Sequence, residues 1–504
     1  MSDQPATIPA ALRAAAAKFG DHPAYVFAGT TLTYAQLLDR VREVARGFAA
    51  LGVRPGDRVL IWGPNSLDWA VSALAASYAG GTVVPANSRY VAPEVGDLVE
   101  RTNARLVLVS DGFLGKTQIA DLEATGQAGS ARIINLSEGL DQVVAAGDPA
   151  HDIDAVAAAV SPDDIADILF TSGTTGRSKG VLSAHRQSVG VAQVWGELGG
   201  VNASDQYLVV NPFFHSFGYK IGIIVGLLFG PTLYPVATFD LDETMQLIQD
   251  RGITLLPGAP TIFQSILTAP NREQYDLSSL RLAVTGAAVV PVVLIEQMRE
   301  VLGIDKVVTA FGMTEAVVVT MCREGDSAQT IATTCGRVVP NMEMRIGDEG
   351  ELLLRGDYVM LGYLDDPEAT AEAIRDGWLH TGDVGEIDQD GNLRITDRLK
   401  DMYISGGFNV YPAEVEQTLM RLAGIHDVAV VGIPDERMGE IGMAFVVRGN
   451  AALRTDEVIA HARANLANYK VPKRVSFVDV LPRNLGGKVL KNELRDQATK
   501  GEQA

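Results

Sequence analysis

Short β-branched and apolar runs alternate with helical patterns along most of this chain, and that alternation is its tightest constraint. DRVLIW (57–62), ARLVLV (104–109), ITLLP (253–257) and LRLAVTG (280–286) have strand length and strand composition. Between them lie stretches such as LDWAVSALAASYAG (67–80), where apolar residues recur at i, i+3 and i+4. Strands separated by helices pair in parallel, so the pattern predicts an α/β architecture of stacked, mostly parallel sheets. Near position 350 the texture changes. MRIGDEGELLLRG and VGEIDQDGNLRITDR read as antiparallel hairpins around DEG and DG turns. After DRLKD (397–401) comes a further mixed segment of about a hundred residues. A chain of 504 residues exceeds what one core holds, ~250–300 residues. The expected division is a large N-terminal domain over 1–397, a hinge at 398–401 and a small α+β domain over 402–504.

Charge and cysteines narrow the partners. With 42 basic and 62 acidic side chains the formal charge is −20, so a phosphate backbone would be repelled and no nucleic-acid partner is expected. Cys322 and Cys335 have no CxxC spacing, which argues against a disulfide framework or a zinc site and suits a reducing cytosol. The opening MSDQPATIPAALRAAA lacks a basic region ahead of an apolar core, so no signal peptide is read and a cytoplasmic location is expected. The uncharged run 221–239 is interrupted by Gly222, Gly226, Gly230, Pro231 and Pro235. A membrane span needs ~20 continuous apolar residues; a buried helix with a glycine face is the better reading.

The densest chemical signal is ILFTSGTTGRSKGVL (168–182). An apolar strand feeds a loop of Thr171, Ser172, Gly173, Thr174, Thr175 and Gly176, closed by Lys179. Glycines let backbone N–H groups converge, hydroxyls add donors and the lysine adds a point charge, which together can cradle a polyphosphate. The spacing is not that of a Walker A loop, and a GxGxxG fingerprint is absent. Gly/Ser/Thr clusters are usually surface loops, but the apolar strand directly ahead and the hydroxyls around two glycines favour phosphate binding here.

This loop resembles the phosphate loop of the acyl-adenylate-forming (AMP-binding) superfamily, with Ser178 where proline is usual. Four further motifs follow in that family's order: TAFGMTEA (309–316), HTGDVGEID (380–388), DRLKDMYISGGFNVYPAEVE (397–416) and LPRNLGGKVLKNELR (481–495). The resemblance implies a distorted β-barrel beside the N-terminal sheets and a mobile C-terminal lid. It also implies ATP, Mg²⁺ and coenzyme A as cofactors and a small carboxylic acid as substrate, with no membrane insertion and with a homodimer left open.

Residue roles follow from the same resemblance. Phe311, where the family usually has tyrosine, would stack on adenine beside Gly312. Thr314 would contact phosphate and Glu315 would hold the metal. Without the other motifs, this segment would read as a core aromatic followed by a helix N-cap. Asp383 and Arg398 would hold the ribose; alone, Asp383 would be a turn residue. Lys400 falls at the hinge and Lys488 would reach the reacting carboxylate and α-phosphate. Gly286 and Ala287 would let nucleotide and substrate approach the backbone, Gly406 and Gly407 would line the pantetheine channel, and His215 would gate the acyl site unless it is an ordinary buried histidine. Lys470, Lys473 and Arg474 are candidates for the CoA phosphates only because they are basic.

The implied activity is AMP-forming acyl-CoA synthesis. NPFFHSFGYKIGI, TIATTCGRVVP and YISGGFNVYPAEVEQ further resemble actinobacterial ligases of sterol catabolism, which activate a propanoate side chain on a bicyclic indanedione. Ligases of short-chain, medium-chain or aromatic acids, and ligases loading a carrier-protein thiol, are the alternatives. A light-emitting relative and a silent nucleotide-binding homologue come from other classes.

Overall fold

The computed structural model describes residues 4–172, 178–286, 290, 292–398, 402–410, 412–482 and 489–500. Two compact units partition the chain. The larger comprises Met1–Ser88, Gly96–Leu169 and Val181–Thr396; the smaller comprises Arg89–Val95, Phe170–Gly180 and Asp397–Ala504.

The larger unit is built on the alternating segments. DRVLIW contributes the strand Arg58–Trp62, ITLLP contributes Leu255–Pro257 and LRLAVTG contributes Leu282–Thr285. Six strands pair in parallel at the centre of a nine-stranded sheet, in the order Lys306–Met313, Leu282–Thr285, Leu255–Pro257, Gln206–Val209, Thr232–Pro235, Pro23–Phe27. Antiparallel strands close both edges. A seven-stranded sheet is likewise parallel from Ile165–Ser172 to Arg132–Asn135, with Gly362–Tyr363 antiparallel at its other edge beside Ser178–Ala184. The helix Leu67–Tyr78, capped by Ser66 Oγ at 3.1 Å from Trp69 N–H, is buried on every face from Trp69 to Tyr78. A helix apolar all round belongs inside a layered core. The hairpins near position 350 form a five-stranded antiparallel sheet, in which Met342–Ile346 pairs with Glu351–Gly356 and Glu351–Gly356 with Trp378–Ile387.

The uncharged run is helical and buried, but its first part is a π-helix, Phe217–Ile224, continued by the α-helix Val225–Phe229. A Cβ on Gly222 would stand 3.2 Å from Val209 Cγ1, and one on Gly226 would stand 2.8 Å from Leu233 Cδ1. The glycine face therefore packs on two strands of the nine-stranded sheet rather than opening space for a ligand. Among the described residues no helix is long and apolar enough to cross a membrane. One residue ahead of the run, Lys220 is 1% exposed, with its Nζ 3.1 Å from Asp167 Oδ1 and 2.8 Å from Ser183 Oγ. Asp167 Oδ2 accepts from Ser188 Oγ at 2.7 Å.

The smaller unit sets Ile425–Asp435 antiparallel to Gly439–Arg448, flanked by Tyr403–Ser405 and Phe408–Val410 and by the parallel strand Arg474–Val478. Val428 and Val430 face one core with Val415, Leu419 and Val458, while Ala429 and Val431 face a second with Phe445 and Leu494. Period-two alternation sends successive residues to opposite faces, and here both faces are covered.

Candidate active site

The phosphate-loop segment enters on the strand Ile165–Ser172 and leaves on Ser178–Ala184. Thr171 and Lys179 are half-buried on these strands. Gly173, Thr174, Thr175 and Gly176, together with the side chain of Ser172, lie outside the described residues, as do Ala287, Lys400, Lys488 and the side chain of Arg398.

Thr314 and Glu315 form the two-residue turn of a β-hairpin, with Met313 opposite Ala316. This corrects the helix-cap alternative: the chain reverses here instead of starting a helix. Phe311 is half-buried on the outgoing strand opposite Thr320, at the edge of the core. The register shifts between Phe311 and Met313, and a Cβ on Gly312 would stand 1.8 Å from the Val317 carbonyl oxygen. Only glycine fits that bulge. Glu315 is 9% exposed; its Oε1 accepts from the Tyr363 hydroxyl at 2.9 Å and its carbonyl accepts from Met360 N–H at 2.7 Å. Among the described residues no group of three or more His, Cys, Asp or Glu could hold a metal ion. A lone, oriented carboxylate fits Mg²⁺, which binds through one or two carboxylates together with substrate phosphates.

Asp383 stands on Trp378–Ile387 within a bulge and not at a turn. Glu351 pairs with Val384 and Leu353 with His380, so Leu352 faces the three residues Thr381–Asp383. Gly382 takes the left-handed φ of 71° that this excursion needs, and its N–H donates to Glu351 Oε1 at 2.9 Å. Thr381 Oγ1 donates to the Leu352 carbonyl at 2.8 Å and accepts from Asp383 N–H at 3.0 Å. The bulge fixes the orientation of Asp383, which is 9% exposed.

Gly286 ends the strand Leu282–Thr285, and a Cβ there would stand 3.1 Å from the Ala310 carbonyl oxygen. Its missing side chain admits a neighbouring strand's backbone. His215 is exposed and accepts from Phe217 N–H through Nδ1 at 3.2 Å. Desolvation by the surrounding protein lowers its pKa. It is not a buried core histidine. Gly406 and Gly407, with φ of 58° and 82°, form the exposed turn between Tyr403–Ser405 and Phe408–Val410. Positive φ at both central residues is what a two-residue hairpin turn of the primed type requires.

Lys470 is no candidate for CoA phosphates. It is 1% exposed, within the smaller unit, with Nζ 2.8 Å from Glu94 and 2.7 Å from Glu414. Lys473 and Arg474 are exposed. Sequence reasoning missed Tyr363, because nothing in GYLDD signals a partner 48 positions away. It also missed the Asp167–Lys220 pair, because each residue sits singly in an apolar run.

The sequence profile described as "AMP-binding enzyme" matches residues 12–364, and that described as "AMP-binding enzyme C-terminal domain" matches 414–488. The chain is 54% identical, over 99% of its length and 100% of the relative's, to a Rhodococcus jostii (strain RHA1) protein named 3-[(3aS,4S,7aS)-7a-methyl-1,5-dioxo-octahydro-1H-inden-4-yl]propanoyl:CoA ligase. It is 53% identical, over 97% of its length and 98% of the relative's, to a Mycobacterium tuberculosis protein of the same name. Among solved structures it resembles o-succinylbenzoate CoA synthetase from Bacillus subtilis bound with a product analogue, with a TM-score of 0.85, 26% identity and coverage of 96% and 98% of the two chains.

Proposed function

Because the chain belongs to the AMP-binding enzyme family, we propose that it is an AMP-forming acyl-CoA synthetase acting on the propanoate side chain of a bicyclic, steroid-derived indanedione. The observation that carries the substrate is that two relatives above half identity, matched almost end to end, are named for that one acid. A screen of pyrophosphate release with ATP, CoA and a panel of acids tests it. The indanedione propanoate is expected to give a kcat/KM at least tenfold above hexanoate and ferulate, and a flat profile would sink the assignment.

The chemistry runs in two halves. A carboxylate oxygen attacks the α-phosphorus of ATP; the new P–O bond forms as the bond to pyrophosphate breaks, giving an acyl-adenylate. The CoA thiol then attacks the acyl carbon, the C–O bond to AMP breaks and the thiol proton is lost. Little covalent work falls to the protein, so placement and neutralisation of charge dominate. In this reading Lys179 and Thr314 face phosphate oxygens, Phe311 lies on adenine, and Asp383 with Arg398 holds the ribose. Glu315 would hold Mg²⁺, which supplies charge neutralisation on the phosphates. His215, exposed on the segment ahead of the π-helix Phe217–Ile224, is assigned to the acyl entrance. Lys488 serves the first half, and the segment 398–401 turns the C-terminal domain so that the thiol reaches the same site.

The hinge reading gives a separate expectation. Proline at position 400 fixes φ near −65° and restricts the preceding residue. Lys400→Pro should leave the adenylation rate within about threefold and slow thioester formation at least tenfold, measured in single-turnover half-reactions. Equal rates in both halves would remove Lys400 from the hinge.

A further inference from the structure

The residues 359–363 form a strap that grips Glu315 at several points. Met360 N–H donates to the Glu315 carbonyl at 2.7 Å, and Ala316 and Val359 form an antiparallel bridge. The Tyr363 hydroxyl donates to Glu315 Oε1 at 2.9 Å. The other side of the strap is anchored on Ser178–Ala184, the strand that carries Lys179. Leu361 N–H donates to the Leu182 carbonyl at 2.9 Å, while Gly362 and Tyr363 pair with Leu182 and Val181. Gln187 Nε2 donates to the Val359 carbonyl, and Tyr363 N–H donates to Thr370 Oγ1 at 2.9 Å. Tyr363 is thus fixed along its own backbone before its hydroxyl reaches the carboxylate.

We propose that Tyr363 is a positioning residue for the nucleotide-borne metal: its hydroxyl holds one oxygen of Glu315 and aims the other at the ion. The inference rests on the assignment of Glu315 as the metal carboxylate. A carboxylate at a hairpin tip otherwise rotates about its side-chain bonds, and ordering it on metal arrival costs free energy. A phenol donor occupies one of roughly four lone-pair sites and leaves the remainder. Groups that orient a metal ligand in this way typically contribute ~10–100-fold in metal affinity.

Tyr363→Phe removes one oxygen atom. Calorimetric titration of the variant with Mg·ATP and with metal-free ATP reads the role without relying on turnover. Mg·ATP is expected to bind about tenfold more weakly, while metal-free ATP binds within about twofold of wild type and shows that the variant is folded. The Mg²⁺ concentration for half-maximal pyrophosphate release should rise by the same factor. Wild-type Mg·ATP affinity in Tyr363→Phe, beside a weakened Glu315→Gln, overturns the inference and leaves the role of Glu315 standing. Equal weakening of both ATP forms in Tyr363→Phe also overturns it. Unchanged Mg·ATP affinity in Glu315→Gln overturns both.

Discussion

Lys488→Ala enzyme is expected to release pyrophosphate about 10²–10³-fold more slowly than wild type, the usual cost of removing one placed donor from a developing negative charge. The same enzyme, given synthetic acyl-adenylate and CoA, should form thioester within a few-fold of the wild-type rate. The asymmetry follows from where charge accumulates. As the carboxylate approaches the α-phosphate, two anionic groups share one small volume, and in the proposed role the Lys488 cation offsets both. Thioester formation instead discharges AMP from an adenylate already made and needs no cation at that point. A formal charge of −20 raises the stake, since the global field opposes ATP and only local cations counter it. Equal loss of both halves would show that Lys488 supports the fold and not the first half-reaction.

Lys220→Met should lower the stability of the larger unit by about 3–5 kcal/mol, the penalty for leaving one member of a buried ion pair uncompensated. Asp167 is 0% exposed, and its Oδ1 has Lys220 as its ion-pair partner at 3.1 Å. Without the ammonium, the carboxylate must take up a proton or remain charged in a medium that solvates it poorly. Adding Asp167→Asn should restore more than half of the loss, because the buried charge is then gone while an acceptor for Ser188 remains. Denaturant midpoints for the single and double variants check this. A single variant as stable as wild type would mean that water reaches Asp167.

What the sequence reveals and what it hides divide along the range of the interactions. The strands DRVLIW, ITLLP and LRLAVTG and the helix at 67–80 were legible because each announces itself within a dozen residues, through period and composition. The hairpins after position 342 were legible through their turns. Thr314 and Glu315 were harder: TAFGMTEA fits a helix start as readily as a hairpin. What decides is the bulge at Gly312, where Val317 leaves no space for a side chain. The TGD segment hides its bulge in the same way, since only the register against Glu351 and Leu353 exposes it. Lys470 misled because a lysine among basic neighbours reads as solvated, whereas Glu94 and Glu414 arrive from 376 and 56 positions away. The motifs identified a family before any geometry was known. The expected acid came from short stretches such as NPFFHSFGYKIGI and TIATTCGRVVP, and what supports it is similarity across the entire chain, not a pocket read residue by residue.

The strap over Glu315 has a consequence for how the enzyme comes into being on the ribosome. Its contacts are distant in sequence: Gln187 and Val359 are 172 positions apart, and Glu315 and Tyr363 are 48 apart. At ~5–20 residues per second of synthesis, Tyr363 emerges roughly 2–10 s after the carboxylate it orients. The strand at Val181 and Leu182 waits longer still for its edge partner. A nascent chain halted between these points carries the phosphate-loop sequence with Glu315 not yet held by Tyr363. The proposed nucleotide site is thus a late acquisition of the growing polypeptide, since Tyr363, Asp383 and Arg398 all follow Glu315 in the chain.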